Sequence, residues 1–140
     1  GPEEFAWMPI ALRELGQSEV TGPDSNPRIT EYQLSTELDA GLRPSDETPW
    51  CSDFACWCVE GAGYASTNSA AARSWLSWGR PIVKPRRGVI VVLSRGSMGG
   101  HVGFYTGGGL DHVTLLGGNQ GNRVSTVSYA RSRVLGYRLP

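Results

Sequence analysis

The chain has no excess of charge of either sign. Its 140 residues carry 13 Lys+Arg against 13 Asp+Glu, so the formal net charge at pH 7 is zero. Nucleic-acid-binding proteins usually need a basic surplus to neutralise phosphates, so we do not expect that class of function. Apolar residues make up 39% and charged residues 19% of the chain, which is ordinary for one compact globular domain.

Long apolar runs are also missing. No segment approaches the roughly 18 apolar residues that a membrane-spanning helix needs, so we expect no membrane insertion. We also find no basic start followed by an apolar core and a small-residue cleavage site, so we expect no signal peptide. Residues 1–4 are interpreted as an expression remnant or a disordered start, and residues 5–140 as a single domain. If the protein acts outside the cytoplasm, another route must deliver it.

The spacing of apolar residues changes from helical to alternating at about residue 80. Helical offsets and boundary residues predict four helices, at Met8 to Leu15, from Pro27 after a capping Asn26, at 48–60, and from Asn68 to Trp78. Alternation then predicts strands at 88–93, 101–106, 112–116, 124–129 and 134–138. Helices followed by antiparallel strands predict an α+β domain.

Only three cysteines occur, and all lie in the stretch TPWCSDFACWC, residues 48–58. A structural zinc site needs four N/S ligands, and the two histidines form no H-x3-5-H pair, so we expect no metal site. On one helix Cys56 faces neither neighbouring cysteine, and Cys51 and Cys58 lie about 10 Å apart along the axis. A disulfide framework is therefore not expected. We expect no cofactor.

The position of each cysteine along its helix separates their roles. With Thr48 as N-cap and Pro49 as first helical residue, Cys51 occupies the third helical position. Unpaired backbone N–H groups and the positive end of the helix dipole lie there, and both stabilise a thiolate. Cys56 and Cys58 lie deeper among apolar neighbours, where cysteine usually packs as a small hydrophobe. Cys51 is either a nucleophile or a third core residue, and the helix alone does not decide.

A thiolate nucleophile needs a base, and the chain has two histidines. His101 opens a predicted strand after the loop SRGSMGG. His112 follows three glycines at a hairpin tip, where a solvated histidine is the ordinary interpretation. In that hairpin His101 faces positions 117–119, so Asn119 is expected beside it. A Cys–His–Asn set is a workable hydrolase triad, although Asn119 alone would be read as a turn residue.

The blocks PWCSDFACWC, GHVGFY and LGGNQ, in this order, resemble the CHAP-type cell-wall hydrolases of bacteria and phages, a papain-like, NlpC-related family. The resemblance runs nearly end to end, through WMPIALRELG, NPRITEY, SAAARSWLSWG and LGYRLP. It implies a catalytic domain of papain-like α+β fold, with N-terminal helices packed on a small antiparallel sheet, that cleaves amide bonds in peptidoglycan. It also implies Cys51 as nucleophile, His101 as base and Asn119 as orienting residue. Many relatives carry Glu two residues before that Asn, where this chain has Gly117.

The resemblance leaves the substrate bond open between an N-acetylmuramoyl-L-alanine amidase and a peptide-stem endopeptidase. Peptidoglycan is the expected partner of a monomer that acts in the cell wall or periplasm, delivered by phage lysis or a secretion system and targeted by a separate module. Trp50 and Glu19 are candidate substrate-binding residues. The alternatives are a catalytically inactive wall-binding domain on the same fold and another papain-like intracellular thiol amidase.

Three acidic residues flank the candidate nucleophile, namely Asp46, Glu47 and Asp53. Some CHAP relatives bind calcium near this position. These carboxylates lack the alternating oxygen-ligand spacing of a dedicated calcium loop. We therefore expect solvated surface carboxylates rather than a metal site.

Overall fold

The computed structural model describes residues 5–20, 26–36, 50–97 and 99–140, and within them the chain forms an α+β domain as predicted. The α-helices are α1 (Trp7–Arg13), α2 (Pro27–Leu34) and α3 (Cys51–Gly61), and short 3-10 helices occupy Ala72–Ser77 and Arg131–Arg133. The strands are β1 (Arg80–Ile82), β2 (Ile90–Arg95), β3 (Gly99–Gly108), β4 (His112–Gly117), β5 (Ser125–Ala130) and β6 (Val134–Leu139). In this part of the chain no helix has the length and hydropathy needed to cross a bilayer.

The strands form one six-stranded antiparallel sheet in the order β1-β6-β2-β3-β4-β5. Strands β2 to β5 are a meander, and β6 returns to pair with β2 on its other side. In the β2–β3 ladder His101 lies opposite Leu93. The β3–β4 ladder begins only at Phe104 and Leu116, so the chain after β4 is free to leave the sheet beside His101.

Apolar side chains form two clusters on the two faces of the central strands. The first cluster joins side chains of all three α-helices to alternate residues of β2 and β3, including Val92, Val102 and Phe104. The second cluster holds the intervening residues of β2, such as Val91 and Leu93, together with side chains of β4 and β6. This alternation follows from the two-residue period of a strand and leaves both faces of the central strands buried.

The helix boundaries differ from the sequence predictions in two places that matter for the site. Helix α3 begins at Cys51, not after a Thr48 cap, and its flanking residue Trp50 has non-helical angles of φ −134 and ψ 20. Thr48 and Pro49 lie outside the described residues. The predicted fourth α-helix is a 3-10 helix that starts at Ala72, and its expected cap Asn68 has φ 53. In both cases the local capping signal does not set the boundary of the helix.

The strand predictions are confirmed to within about two residues, with two exceptions in detail. Strand β2 starts at Ile90 because Gly88 is a turn residue with φ 94, where a Cβ would meet the Phe5 ring at 2.6 Å. The short edge strand β1 was missed, since its central Pro81 argues against a strand. The interpretation of residues 1–4 falls outside the described ranges.

Candidate active site

Cys51 lies at the first position of α3, closer to the end of the helix than the sequence predicted. The first bond of the helix joins the Phe54 N–H to the Trp50 carbonyl at 3.0 Å. The N–H groups of Cys51, Ser52 and Asp53 therefore have no acceptor within the helix. A negative charge on or near the Cys51 sulfur would face these donors and the positive end of the helix.

The surroundings of Cys51 nevertheless favour the neutral thiol. Its side chain is buried at 9% exposure, and burial raises the thiol pKa above its ordinary value. The Val102 backbone N–H, the Arg95 guanidinium and the Ser52 backbone N–H lower it, and the Asp53 carboxylate raises it further. Burial is the largest effect, so the thiol pKa is shifted in the direction opposite to the one expected from the helix position.

His101 lies in β3 and directly precedes Val102, whose backbone amide acts on the Cys51 sulfur. Only 1% of its surface is exposed. Burial lowers the imidazole pKa to about 4, opposed by the hydrogen bond to Gln120 and assisted by the Arg95 and Arg133 charges. His101 is therefore neutral at neutral pH, which is the form that can accept a proton.

The hydrogen-bond partner of His101 is Gln120, one residue beyond the expected Asn119. His101 Nε2 and Gln120 Oε1 are 2.8 Å apart. Gln120 donates its amide N–H groups to the carbonyls of Leu115 and Ser125 at 3.1 and 2.7 Å. Because both donors are used, the oxygen must face the imidazole, and Nε2 must carry the proton. His101 Nδ1 then holds the lone pair.

Asn119 serves the turn that aims Gln120. Its backbone has φ 58, a left-handed conformation that asparagine tolerates better than most residues. The side chain makes no hydrogen bond to His101 or to any other described residue. Two hydrogen bonds fix the backbone of Gln120. Its N–H donates to the Arg123 carbonyl, and its carbonyl accepts from the Ser125 hydroxyl.

Two glycines allow this arrangement. A Cβ at Gly117 would lie 2.9 Å from the Gln120 side-chain oxygen, so this contact favours glycine at position 117. A Cβ at Gly118 would lie 2.7 Å from both the Phe54 Cβ and the Trp50 ring. The start of α3 therefore packs directly on the segment that leads to Gln120.

Tyr129 and Arg133 belong to the same neighbourhood and were not predicted. The Tyr129 hydroxyl lies 3.4 Å from His101 Nε2, and the two rings have centroids 5.4 Å apart. Arg133 lies 5.3 Å above the Tyr129 ring and donates two hydrogen bonds to the Ser94 carbonyl. No local pattern could have predicted these contacts. Tyr129 of β5 meets His101 of β3, and Arg133 reaches Ser94 because Val134 pairs with Leu93 in the sheet.

The two residues proposed for substrate binding do lie together. Trp50 donates its indole N–H to Glu19 at 3.5 Å, and its ring packs 5.9 Å from Tyr32. Trp50 is fully buried, so it supports the start of α3 rather than lining an open cleft. Glu19 is half-buried in the segment that follows α1.

The acidic residues near Cys51 do not form a metal site in the part of the chain that the structure describes. Asp53 is 1% exposed, so the expectation of a solvated carboxylate is wrong for this residue. It accepts a 2.7 Å hydrogen bond from the Thr36 hydroxyl, and burial raises its pKa to about 6. Asp46 and Glu47 lie outside the described residues.

The remaining cysteines and histidine behave as the sequence predicted. Cys56 and Cys58 are fully buried, and all three cysteines are free thiols. Burial raises the pKa of the Cys58 thiol well above its ordinary value. His112 is exposed at the tip of the β3–β4 hairpin and lies 3.0 Å from Asp111.

These contacts define a class of protein, an α+β domain in which a cysteine begins a helix, the backbone of the residue after a strand histidine acts on its sulfur, and a side-chain amide holds that histidine. A family model for the CHAP domain matches residues 43–119, and the chain belongs to this family. No curated protein matches the chain. Membership of the CHAP family indicates a peptidoglycan-hydrolase-like or amidase-like function.

Proposed function

We propose that the protein is a cysteine amidohydrolase that cleaves amide bonds in peptidoglycan, with Cys51 as nucleophile and His101 as general base. Gln120 takes the orienting role that the sequence assigned to Asn119. The hydrogen bond between His101 Nε2 and the tied-down Gln120 amide supports this proposal most directly. It fixes the tautomer whose free Nδ1 can take the thiol proton.

The proximity of Cys51 to the imidazole is supported by two neighbours of His101. The Val102 amide, which follows His101 in β3, acts on the sulfur and lowers its thiol pKa. Tyr129, whose hydroxyl lies 3.4 Å from His101 Nε2, has its pKa raised in part by Cys51. A helix-start cysteine facing the end of an antiparallel strand is the papain-like arrangement that we propose for this fold.

The acylation step starts from a neutral pair. As the substrate carbonyl reaches the site, the Cys51 proton moves to His101 Nδ1 and the sulfur bonds to the carbonyl carbon. The carbonyl oxygen becomes an oxyanion, which the Cys51 backbone N–H and the positive end of α3 stabilise. The C–N bond then breaks, and Nδ1–H protonates the leaving amine.

Deacylation reverses the proton transfers. Water gives a proton to His101 Nδ1 and attacks the thioester carbon. When the C–S bond breaks, the sulfur takes the proton back and the product acid leaves. A neutral thiol is a weaker nucleophile than a thiolate. We therefore expect Cys51 to lose its proton only as the substrate binds.

The proposal places the protein as a monomer acting on the cell wall or in the periplasm after delivery by phage lysis or a secretion system. The scissile bond is the muramoyl–alanine amide or a bond within the stem peptide. The zero net charge gives no attraction to an anionic wall, so targeting by a separate module fits this account.

The test is the release of soluble fragments from purified peptidoglycan by the wild type, Cys51→Ala and Cys56→Ala. Cys56 is the matched control because it is a buried thiol of the same helix. We expect release by the wild type and Cys56→Ala but not by Cys51→Ala, and mass spectrometry of the fragments identifies the bond. Release that survives Cys51→Ala in a folded protein would contradict the proposal.

A non-catalytic wall-binding domain is the second candidate, and the burial of Cys51, which raises its thiol pKa, favours it. Such a domain would pull down with peptidoglycan without releasing fragments. Equal binding by the wild type and Cys51→Ala, with no release by either, would support this candidate over the enzyme.

A further inference from the structure

The charged side chains that act on His101 are both cationic. Arg95 and Arg133 lower the imidazole pKa, and Arg95 also lowers that of the Cys51 thiol. In the ranges that the structure describes, no carboxylate lies within ion-pair distance of either guanidinium. The charges that act on His101 are therefore positive in a chain whose formal net charge is zero, and Asp53 is the carboxylate that acts on Cys51.

The sheet register places Arg95 on the same side of the sheet as the imidazole. Leu93 pairs with His101 in the β2–β3 ladder, and Arg95 follows Leu93 by two residues, which is one full strand period. Arg95 is exposed, and its guanidinium makes no hydrogen bond to any described residue. All its donors are therefore available within this part of the chain.

Arg133 reaches the same place from the other side. Its Nε and Nη2 donate to the Ser94 carbonyl at 3.1 and 3.0 Å, one residue before Arg95. Its guanidinium lies over Tyr129, whose hydroxyl is 3.4 Å from His101 Nε2. The Nη1 nitrogen has no partner among the described residues. The guanidinium of Arg133 is therefore fixed in position by Ser94 while Nη1 can still donate hydrogen bonds.

We propose that Arg95 and Arg133 form a carboxylate-binding subsite beside the reacting atoms, so that the enzyme prefers an amide bond next to a free carboxylate of the peptidoglycan stem. This inference rests on the proposed function and adds the substrate chemistry. Stem peptides carry carboxyl groups that occur either free or amidated. Planar guanidinium groups bind carboxylates through paired charge-assisted hydrogen bonds, which an amide cannot replace.

The experiment measures binding to Cys51→Ala protein, which removes cleavage from the measurement. The probes are N-acetylmuramyl-L-alanyl-γ-D-glutamyl-L-lysine and the same compound with both carboxyl groups amidated, titrated by calorimetry at low salt. We expect the acid to bind about tenfold more tightly than the diamide, since an exposed charge-assisted contact contributes about that factor.

Three second substitutions on this background locate the subsite. Arg95→Gln should weaken binding of the acid about tenfold and leave the diamide unchanged, whereas Arg95→Lys should keep only part of the preference, because lysine retains the charge but not the paired donors. Arg80→Gln removes an exposed arginine of β1, two strands away from β2, and should change neither affinity. Arg133→Gln should act like Arg95→Gln, with circular dichroism checking that the loss of its bonds to Ser94 leaves the fold intact.

Equal affinities for acid and diamide, including no measurable binding of either, would overturn the subsite. So would an Arg95→Gln variant that weakens both probes alike. Fragment release from peptidoglycan by the wild type separates the two proposals. Cys51-dependent release without a carboxylate preference would support the hydrolase and contradict the subsite. An Arg95-dependent preference without release would support the subsite and contradict the hydrolase.

Discussion

Asp53 offers a test of how burial competes with the helix dipole beside the candidate nucleophile. It lies in the first turn of α3 and is 1% exposed. One carboxylate oxygen accepts the Thr36 hydroxyl, and the other has no hydrogen-bond partner in the described structure. Burial raises the Asp53 pKa from 3.8 to about 6, although the Thr36 bond opposes the rise.

The sign of the effect on stability follows from the direction of this shift. Between pH 3.8 and about 6 the folded state holds more protons on Asp53 than the unfolded chain does. Stability therefore falls as the pH rises through this window, and the full penalty is present above it. Two pKa units correspond to about 3 kcal/mol, and the positive end of α3 favours the charge and reduces that figure. We expect about 1–3 kcal/mol.

The perturbation is Asp53→Asn, which is neutral at every pH and keeps an oxygen for the Thr36 hydroxyl. Urea unfolding should show the variant to be about 1–3 kcal/mol more stable than the wild type at pH 7.5 and nearly equal to it at pH 4. Asp111→Asn is the control, because Asp111 is fully exposed and its pKa is lowered by His112, so no stabilisation is expected. A variant less stable than the wild type at pH 7.5, or a difference independent of pH, would refute the reasoning.

The same substitution has a second readout at the candidate nucleophile. The Asp53 charge raises the pKa of the Cys51 thiol, so its removal should lower that pKa. Iodoacetamide should then alkylate Cys51 faster in Asp53→Asn than in the wild type at a fixed pH near 8. A slower reaction would show that the substitution acts through packing rather than charge.

Three further predictions concern reactivity, orientation and packing. Near neutral pH iodoacetamide should modify Cys51 before Cys56, because their exposures are 9% and 0%, and equal rates by peptide mapping would count against an accessible nucleophile. Gln120→Leu should reduce fragment release by about 10–100-fold, because the imidazole loses its orienting acceptor, and unchanged release would remove Gln120 from the site. Gly118→Ala should lower stability by about 1–3 kcal/mol in thermal denaturation because its Cβ would meet α3, whereas Gly107→Ala, with no atom within 4 Å, should change little; equal melting temperatures would contradict the packing described.

Much of the fold was accessible from the sequence because local signals and tertiary structure agree there. The alternating strands from β2 to β6 were predicted to within a few residues, and Asn26 caps α2 by accepting the Arg28 N–H at 2.9 Å, as its position indicated. The prediction failed where packing overrode a cap. Trp50 is fully buried and has non-helical backbone angles, so α3 begins at Cys51 although Thr48 is a good cap in isolation.

The candidate site could be predicted as far as its neighbourhood but not to the atom. The hairpin register brought residues near 119 to His101, and the structure confirms that approach. The left-handed turn at Asn119 then exchanges the expected side chain for that of Gln120, which no periodicity could indicate. The raised pKa of the Cys51 thiol depends on its burial, and position along a helix does not report burial.

Covalent capture of the reaction intermediate tests the central claim most directly. Peptidoglycan fragments are mixed with the protein, the reaction is quenched in acid within seconds, and intact and peptide-level mass spectrometry locate any acyl group. The account predicts a thioester on Cys51 that is absent in Cys51→Ala and decays as product forms. Bond cleavage without an adduct on Cys51, or an adduct on Cys56 or Cys58 instead, would contradict it.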